Sequence, residues 1–98
     1  MIHQLIIRPE AETEIKEAYE WYEEKRLGLG DDFLLNIDAA LCSIQREPEM
    51  YAPLYKNIHR ILIRRFPYSV FYIIESRKVI VMAVIHAKRH PRIWKNRI

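Results

Sequence analysis

The chain has few of the residues that build cross-links or long loops. Its 98 residues include one cysteine, Cys42, and two glycines. A single cysteine excludes an intramolecular disulfide and a thiolate zinc site. We expect Cys42 to fill space in the core, because it follows Leu41 in a predicted helix. Half of the residues are apolar and 30% are charged, which is typical of one compact domain, residues 1–98.

Long hydrophobic runs are also absent from the sequence. The longest uninterrupted apolar stretch, Val79 to Ile85, has seven residues, whereas a transmembrane helix needs about 20. Residues 1–8 lack the apolar run and the small-residue cleavage site of a signal peptide. We therefore expect a cytoplasmic protein with no membrane contact.

Carboxylates are nearly absent from the second half of the chain. Residues 1–50 carry five Lys and Arg against twelve Asp and Glu, a net charge of −7. Residues 51–98 carry eleven against one, Glu75, a net charge of +10. Asymmetry of this size is typical of a surface that binds a polyanion or an acidic partner. Solvated surface charge is the alternative explanation.

The first half of the sequence predicts a strand and two helices. Leu5 to Ile7 forms a short apolar run, and Pro9 suits the first position of a helix that extends to about Arg26. The Gly28-Leu29-Gly30 segment ends this helix, and Asp31 or Asp32 is expected to cap a second helix that ends before Pro48. Two amphipathic helices joined by a short connection predict an antiparallel hairpin.

The second half predicts three strands. Residues 59–64 alternate, residues 69–74 are rich in β-branched and aromatic side chains, and residues 79–86 are almost continuously apolar. The order β-α-α-β-β-β indicates an α+β domain, an antiparallel sheet with the N-terminal helical hairpin packed on one face. The opposite face of the sheet, or its rim, should then be strongly positive. A short helical turn is expected near the C-terminus.

The basic residues of the second half form two groups. Arg60, Arg64 and Arg65 lie on the first of the three strands, and a second group follows the last strand: His86, Lys88, Arg89, His90, Arg92, Lys95 and Arg97. If these strands are neighbours, the groups converge at one end of the sheet, where guanidinium forks suit phosphate oxygens. Alternatively, the arginines contact the glutamates of the first helix or face water.

Candidate catalytic groups are sparse. His86 has the ordinary chemistry of a general acid or base, but Glu75 is the one carboxylate nearby in sequence. His86 and His90 would lie about 13 Å apart in extended chain, too far for one zinc ion. We therefore predict no metal and no cofactor.

Several short motifs in order along the chain resemble the RelE/ParE toxin superfamily. The resemblance runs nearly end to end and rests on Pro9-Glu10-Ala11-Glu12, Tyr19-Glu20-Trp21-Tyr22, Gly28-Leu29-Gly30, Arg65-Phe66-Pro67-Tyr68, Val70-Phe71-Tyr72, and His86 to Arg89 with Pro91 and Trp94. The resemblance implies the toxin of a type II toxin–antitoxin module, also called a plasmid stabilisation protein. Its partner would be a cognate antitoxin, commonly encoded beside it.

The superfamily implies two alternative targets. ParE-like members inhibit growth through DNA gyrase and are not nucleases, whereas RelE-like members cleave mRNA on the ribosome. Arg60 and Arg89 match basic positions of the RelE pattern, but Leu62 and Ser69 stand where RelE-like proteins have a lysine and an arginine. Trp94 lies near the position of a terminal tyrosine and has no hydroxyl.

We therefore favour a ParE-like toxin that acts on DNA gyrase without catalysis. The expected target-binding residues are Arg60, Arg64, Arg65, Arg89, Trp94, Lys95 and Arg97. The alternative is a ribosome-dependent mRNA endoribonuclease, in which Arg60, His86 and Arg89 would be catalytic.

Overall fold

A computed structural model of the chain describes residues 3–97. The secondary structure follows the predicted order, with one additional strand and a 3₁₀ turn over Pro48–Met50. The strands are β1 (Gln4–Ile7), β2 (Pro53–Tyr55), β3 (Ile58–Leu62), β4 (Tyr68–Glu75) and β5 (Lys78–His86). The helices are α1 (Pro9–Lys25), α2 (Leu29–Arg46) and α3 (Arg92–Lys95), the last of which is the short C-terminal helix that the sequence predicts.

The five strands form one sheet in the order β1-β5-β4-β3-β2. The strand pairs β2–β3, β3–β4 and β4–β5 are antiparallel, as predicted. β1 differs, because it pairs in parallel with β5, so that Leu5 lies opposite Val79 and Ile7 opposite Val81. A two-residue hairpin forces the strands that it joins to be antiparallel. β1 and β5 are not joined by such a turn, because two helices and three strands lie between them in the chain, so β1 is free to run parallel to β5. The predicted α+β class is confirmed, with a mixed sheet.

The two long helices cover one face of the sheet. Their apolar residues and those of the facing strands form one core cluster, whose fully buried members include Ala11, Phe33, Ile37, Ile44, Val70, Tyr72, Val79 and Val81. Burying a side chain of the size of Ile or Phe stabilises the fold by about 1.5–3 kcal/mol. Cys42 is exposed on α2, so its predicted burial is wrong. Leu41 and Ile44 occupy the buried side of this turn of α2 instead.

The connection between α1 and α2 is built differently from the sequence expectation. α2 begins at Leu29, and its cap residue Gly28 has a φ of 89° and no side chain with which to cap the helix. The Glu23 carboxylate of α1 accepts hydrogen bonds from the N–H groups of Gly28 at 3.0 Å and Gly30 at 2.8 Å. Capping by Asp31 or Asp32 is therefore wrong. Both aspartates lie inside the first turn of α2, where they complement the helix dipole.

The sheet face opposite the helices is apolar. Ile58, Phe71, Ile73, Met82, Ala83 and Ile85 form a second buried cluster there, together with Trp94 of α3. The Trp94 ring stacks on Phe71 with centroids 4.6 Å apart and planes 14° from parallel. Both faces of β5 are thus covered, which explains its continuous apolar sequence. The expected positive charge accordingly lies along the rim of this face.

Candidate target-binding site

Members of both groups of basic residues meet at one groove on the sheet face opposite the helices. The groove has a volume of about 390 Å³. Arg60 of β3 lines it from one side, and His86, Arg89 and Lys95 line it from the segment that follows β5. The meeting follows from the sheet order, because β3 and β5 flank β4, with Arg60 opposite Phe71 and Phe71 opposite Ala83.

The floor of this groove is aromatic and aliphatic. Phe71, Ile85 and Trp94 belong both to the groove lining and to the second core cluster. Lys95 lies 4.7 Å from the ring centroid of Tyr55, which also lines the groove. No Asp or Glu among residues 3–97 lines the groove. An apolar floor with a cationic rim and no carboxylate suits a ligand that presents anionic groups.

Backbone hydrogen bonds fix the segment after β5. The N–H of Ala87 donates to the Pro67 carbonyl at 2.7 Å, and the N–H of Arg89 donates to the His86 carbonyl at 3.0 Å. The N–H of Lys88 donates to Nδ1 of His86 at 3.0 Å. Because Nδ1 accepts this bond, the neutral ring carries its proton on Nε2. These hydrogen bonds therefore hold both the His86 imidazole and the first residues after β5 in place.

His86 and Arg89 separate this groove from a second one. The second groove, of about 570 Å³, lies between α1 and the end of β5 and is lined by both residues as well as by Trp21 and Tyr68. The Tyr68 ring packs edge-on against His86 with centroids 5.2 Å apart. Burial raises the pKa of Tyr68, the Tyr22 hydroxyl raises it further, and the Arg89 guanidinium lowers it. Tyr68 therefore keeps its phenolic proton near neutral pH and can donate a hydrogen bond.

Tyr55 is not among the residues that the sequence singles out, and Tyr68, an aromatic residue interleaved with the basic ones, is not among the expected target-binding residues. Tyr68 is placed beside His86 by the register of β4 and β5, in which these two residues lie opposite each other. The Phe66-Pro67-Tyr68 turn was visible in the sequence, but its pairing with the far end of β5 was not. Tyr55 lies on β2, the strand that has no clear sequence signal.

Three of the predicted residues lie away from the groove. Arg64 lines a different surface, between β3 and α2. Arg65 has a φ of 71° in the turn before β4, and its guanidinium, in a largely exposed side chain, lies 3.9 Å from the partly exposed Asp32. Arg97 forms an internal ion pair with Glu14 at 2.9 Å. The structure thus brings together Arg60, His86, Arg89, Trp94 and Lys95, and it places the other three elsewhere.

Residues 3–97 contain neither a cluster of three metal-ligating side chains nor a membrane-spanning helix. Within residues 3–97, no three His, Cys, Asp or Glu side chains are close enough together to hold a metal ion. No helix in the same range is long and apolar enough to cross a membrane.

Comparison with known proteins identifies the family. A family model described as "ParE toxin of type II toxin-antitoxin system, parDE" matches residues 5–91. Toxin ParE2 of Mycobacterium tuberculosis is 28% identical over 92 residues, which is 93% of this chain and 88% of that protein. The same relative is found in strains CDC 1551 / Oshkosh and H37Rv.

Solved structures with low sequence identity share the fold. A chain of the chromosomal ParDE toxin–antitoxin system from P. aeruginosa superposes with a TM-score of 0.77 at 11% identity, covering 87% of this chain and 96% of that one. A mutant of E. coli toxin RelE in the free state gives 0.65 at 18% identity, covering 90% and 86%. The RelBE2 toxin–antitoxin complex of Mycobacterium tuberculosis gives 0.62 at 16% identity, covering 88% and 99%.

These findings confirm the resemblance to the RelE/ParE superfamily. The family match covers most of the sequence, from β1 to the loop before α3. The chain belongs to the ParE family of toxins of type II toxin–antitoxin systems.

Proposed function

We propose that this toxin inhibits growth in the cytoplasm by binding DNA gyrase through the groove lined by Arg60, Arg89, Trp94 and Lys95, without catalysing a reaction. The observation that carries the proposal is the convergence of cations from β3 and from the segment after β5 on one carboxylate-free surface. Such a surface recognises anionic groups by charge-assisted hydrogen bonds, and it needs no nucleophile or proton transfer to do so.

The residues between the cations support a binding role over RNA cleavage. Leu62 and Ser69 both line the groove, at the two positions where the RelE pattern has basic residues. Leu62 is 63% exposed and apolar, and Ser69 is buried. Cleavage of RNA needs cations around the scissile phosphate as well as a general base. Neutral side chains at these two positions weaken that chemistry, whereas Arg60, Arg89 and Lys95 are still in the groove to contact a protein.

The experiment uses the purified toxin with purified gyrase and a relaxed plasmid. We expect the toxin to inhibit supercoiling, and we expect Arg89→Ala to need about tenfold more protein for the same inhibition, since a hydrogen bond to a charged group contributes about 1.5–3 kcal/mol. Arg46→Ala is the matched control, because Arg46 is an exposed arginine in the last turn of α2. Undiminished supercoiling at saturating toxin would contradict the proposal.

A ribosome-dependent ribonuclease is the second candidate. His86 lines the same groove as Arg60 and Arg89, which favours this candidate, because an imidazole can exchange a proton with a bound substrate. RNA 5′-end mapping in cells that briefly express the toxin distinguishes the two candidates. New cuts inside translated messages would support cleavage, and growth arrest without such cuts would support gyrase.

We also propose that a cognate antitoxin neutralises this toxin. Two of the structural neighbours come from a ParDE toxin–antitoxin system and a RelBE2 toxin–antitoxin complex. The net charge of +10 in the second half of the chain favours an antitoxin whose contact segment is acidic.

A further inference from the structure

The target-binding groove, lined by Arg60, Arg89 and Lys95, continues into the second groove beside α1. Ile85, His86 and Arg89 line both grooves. The second groove is the larger one, at about 570 Å³ against about 390 Å³. A protein that contacts Arg89 in the target-binding groove therefore reaches the second groove without leaving the toxin surface.

The α1 wall of the second groove carries an exposed tryptophan. Trp21 is 54% exposed and belongs to neither core cluster, so packing of the fold does not account for it. Its ring packs edge-on against Tyr22, with centroids 5.1 Å apart. An indole that a neighbouring side chain holds in place loses little conformational freedom when a partner binds. Tryptophan is also enriched among the residues that dominate binding energy at protein interfaces.

The Trp21 ring already contacts one cation of the toxin itself. Nζ of Lys25 lies 4.7 Å from the ring centroid, although Lys25 does not line the groove. This contact shows that positive charge is accommodated at the electron-rich face of the indole. A cation supplied by a partner can use the same property from within the groove.

The second groove also contains carboxylates, whereas no described residue that lines the target-binding groove is an Asp or a Glu. Both oxygens of Glu14 are bonded to Arg97. Glu17 is exposed, and no Lys, Arg or His among residues 3–97 forms an ion pair with it. Glu17 and Trp21 are four residues apart in α1, so their side chains are neighbours on one face of the helix. The α1 wall thus offers a free carboxylate beside an aromatic ring.

Arginine is the side chain that fits this pair of groups. Its planar guanidinium stacks on an aromatic face and donates two parallel hydrogen bonds to a carboxylate, whereas a lysine ammonium is a more strongly hydrated point charge. We propose that the second groove extends the target-binding surface and holds an arginine side chain of the target protein against Trp21 and Glu17. This inference rests on the proposed function, because it names the chemistry of the target at the same surface.

The two grooves together select a partner that carries both signs of charge. Acidic side chains of the target contact Arg60, Arg89 and Lys95, while an adjacent arginine enters the second groove. Such an arrangement is specific, because a partner with one sign of charge leaves one groove facing a like charge. A polyanion such as RNA would be repelled by Glu17.

The test measures the affinity of purified toxin variants for purified gyrase, together with inhibition of supercoiling. Trp21→Ala removes the ring, and Trp21→Phe is the conservative variant that restores an aromatic face. Glu17→Lys reverses the charge of the α1 wall. Glu20→Lys is its matched control, because Glu20 is exposed on the same helix and lines neither groove. Circular dichroism confirms that each variant is folded.

We expect Trp21→Ala to weaken binding about 30-fold, as truncation of an aromatic anchor at an interface does. Trp21→Phe should stay within about fivefold of the parent chain, since it keeps a ring for the guanidinium. Glu17→Lys should weaken binding at least about tenfold, and Glu20→Lys should change it less than about threefold.

Three results would overturn the proposal. The first is unchanged affinity of Trp21→Ala, and the second is equal affinity of Glu17→Lys and Glu20→Lys, which would mean that no cation meets Glu17. The third is tighter binding or stronger growth arrest by Glu17→Lys, which would show that the second groove faces an anionic target such as RNA.

Growth arrest separates this proposal from the proposed function. A parent chain that arrests growth without binding gyrase would contradict gyrase as the target. Loss of arrest in Trp21→Ala and Glu17→Lys, but not in their controls at equal soluble level, would then still support an arginine of another protein target. A parent chain that binds gyrase and is weakened by Arg89→Ala, but by neither Trp21→Ala nor Glu17→Lys, would contradict the second-groove proposal alone. A chain that neither binds gyrase nor arrests growth would contradict both.

Discussion

Glu14 of α1 and Arg97, 83 residues apart, form an ion pair that covers the edge of β5 beyond the last residue paired with β1. Nη1 and Nη2 of Arg97 donate to Oε1 and Oε2 of Glu14, both at 2.9 Å. Oε1 also accepts a hydrogen bond from the N–H of Val84 at 3.0 Å, and Nη1 donates to the Met82 carbonyl at 3.2 Å. The two side chains therefore bond the backbone of β5 as a neighbouring strand would.

This ion pair lies where β1 stops. The final backbone contact of that segment is the bond from the N–H of Arg8 to the Val81 carbonyl at 3.1 Å, after which α1 begins. Met82 has no opposite residue in β4, because the register shifts between Phe71 and Tyr72. The pair thus satisfies backbone groups at a β-bulge that would otherwise be exposed at an edge.

We predict that Arg97→Ala destabilises the fold. The Arg97 and Glu14 side chains are only 20% and 16% exposed, so the variant leaves a carboxylate largely buried with one hydrogen bond. We expect the free energy of unfolding to fall by about 2 kcal/mol, less than for a fully buried pair. Urea denaturation measures it, with exposed Arg92→Ala as the control. Equal midpoints in the two variants would contradict the structural role of Arg97.

The two glycines of the helix connection should respond differently to alanine. A Cβ on Gly30 would lie 2.7 Å from the Tyr19 carbonyl oxygen, whereas a Cβ on Gly28 meets nothing within 4 Å. Gly28→Ala is opposed only by its φ of 89°, at a cost of about 1 kcal/mol. We expect Gly30→Ala to cost about 2–3 kcal/mol, because backbone must move. Thermal melts of both variants measure the difference. A lower melting temperature for Gly28→Ala than for Gly30→Ala would refute this prediction.

Trp94 should shield the apolar sheet face from solvent. The residue is 7% exposed and stacks on Phe71, while Trp21 is 54% exposed on α1. We expect Trp94→Ala to lower the free energy of unfolding by about 3 kcal/mol and to increase binding of a hydrophobic dye. Trp21→Ala, the control, should change it by no more than about 0.5 kcal/mol. Similar dye binding in both variants would argue against a covering role for α3.

Alkaline pH should destabilise the toxin through its buried tyrosines. Burial raises the pKa of Tyr72 strongly, and its hydroxyl donates to the Pro48 carbonyl at 2.7 Å. The folded state therefore keeps a proton that the unfolded state releases near pH 10, so stability is complete below pH 10 and falls above it. Tyr68 contributes in the same direction.

Urea denaturation between pH 8 and pH 11 measures this dependence. Tyr72→Phe removes one of the raised pKa values, so its free energy of unfolding should fall less steeply with pH above 10 than that of the parent chain. An identical alkaline slope in the two proteins would show that Tyr72 is not the titrating group.

The sequence alone determined the class of the fold and, within residues 3–97, all of the secondary structure except β2 and the 3₁₀ turn. Helical spacing in residues 9–46 and the apolar strands of residues 59–86 are local patterns, and each sets the structure of its own segment. The charge asymmetry also predicted a basic rim. The strand β2 was missed because it has only three residues and begins with a proline.

Only the tertiary structure decided which distant groups meet. The parallel pairing of β1, the bond from Glu23 to the start of α2, and the ion pair of Glu14 with Arg97 all join segments that lie apart in sequence or differ from the usual local rule. Sheet order placed Arg60 in the same groove as Arg89, whereas Arg97 bonds Glu14 and the backbone of β5. A charge pattern is one-dimensional, so it cannot show which arginine faces a ligand and which one holds the fold together.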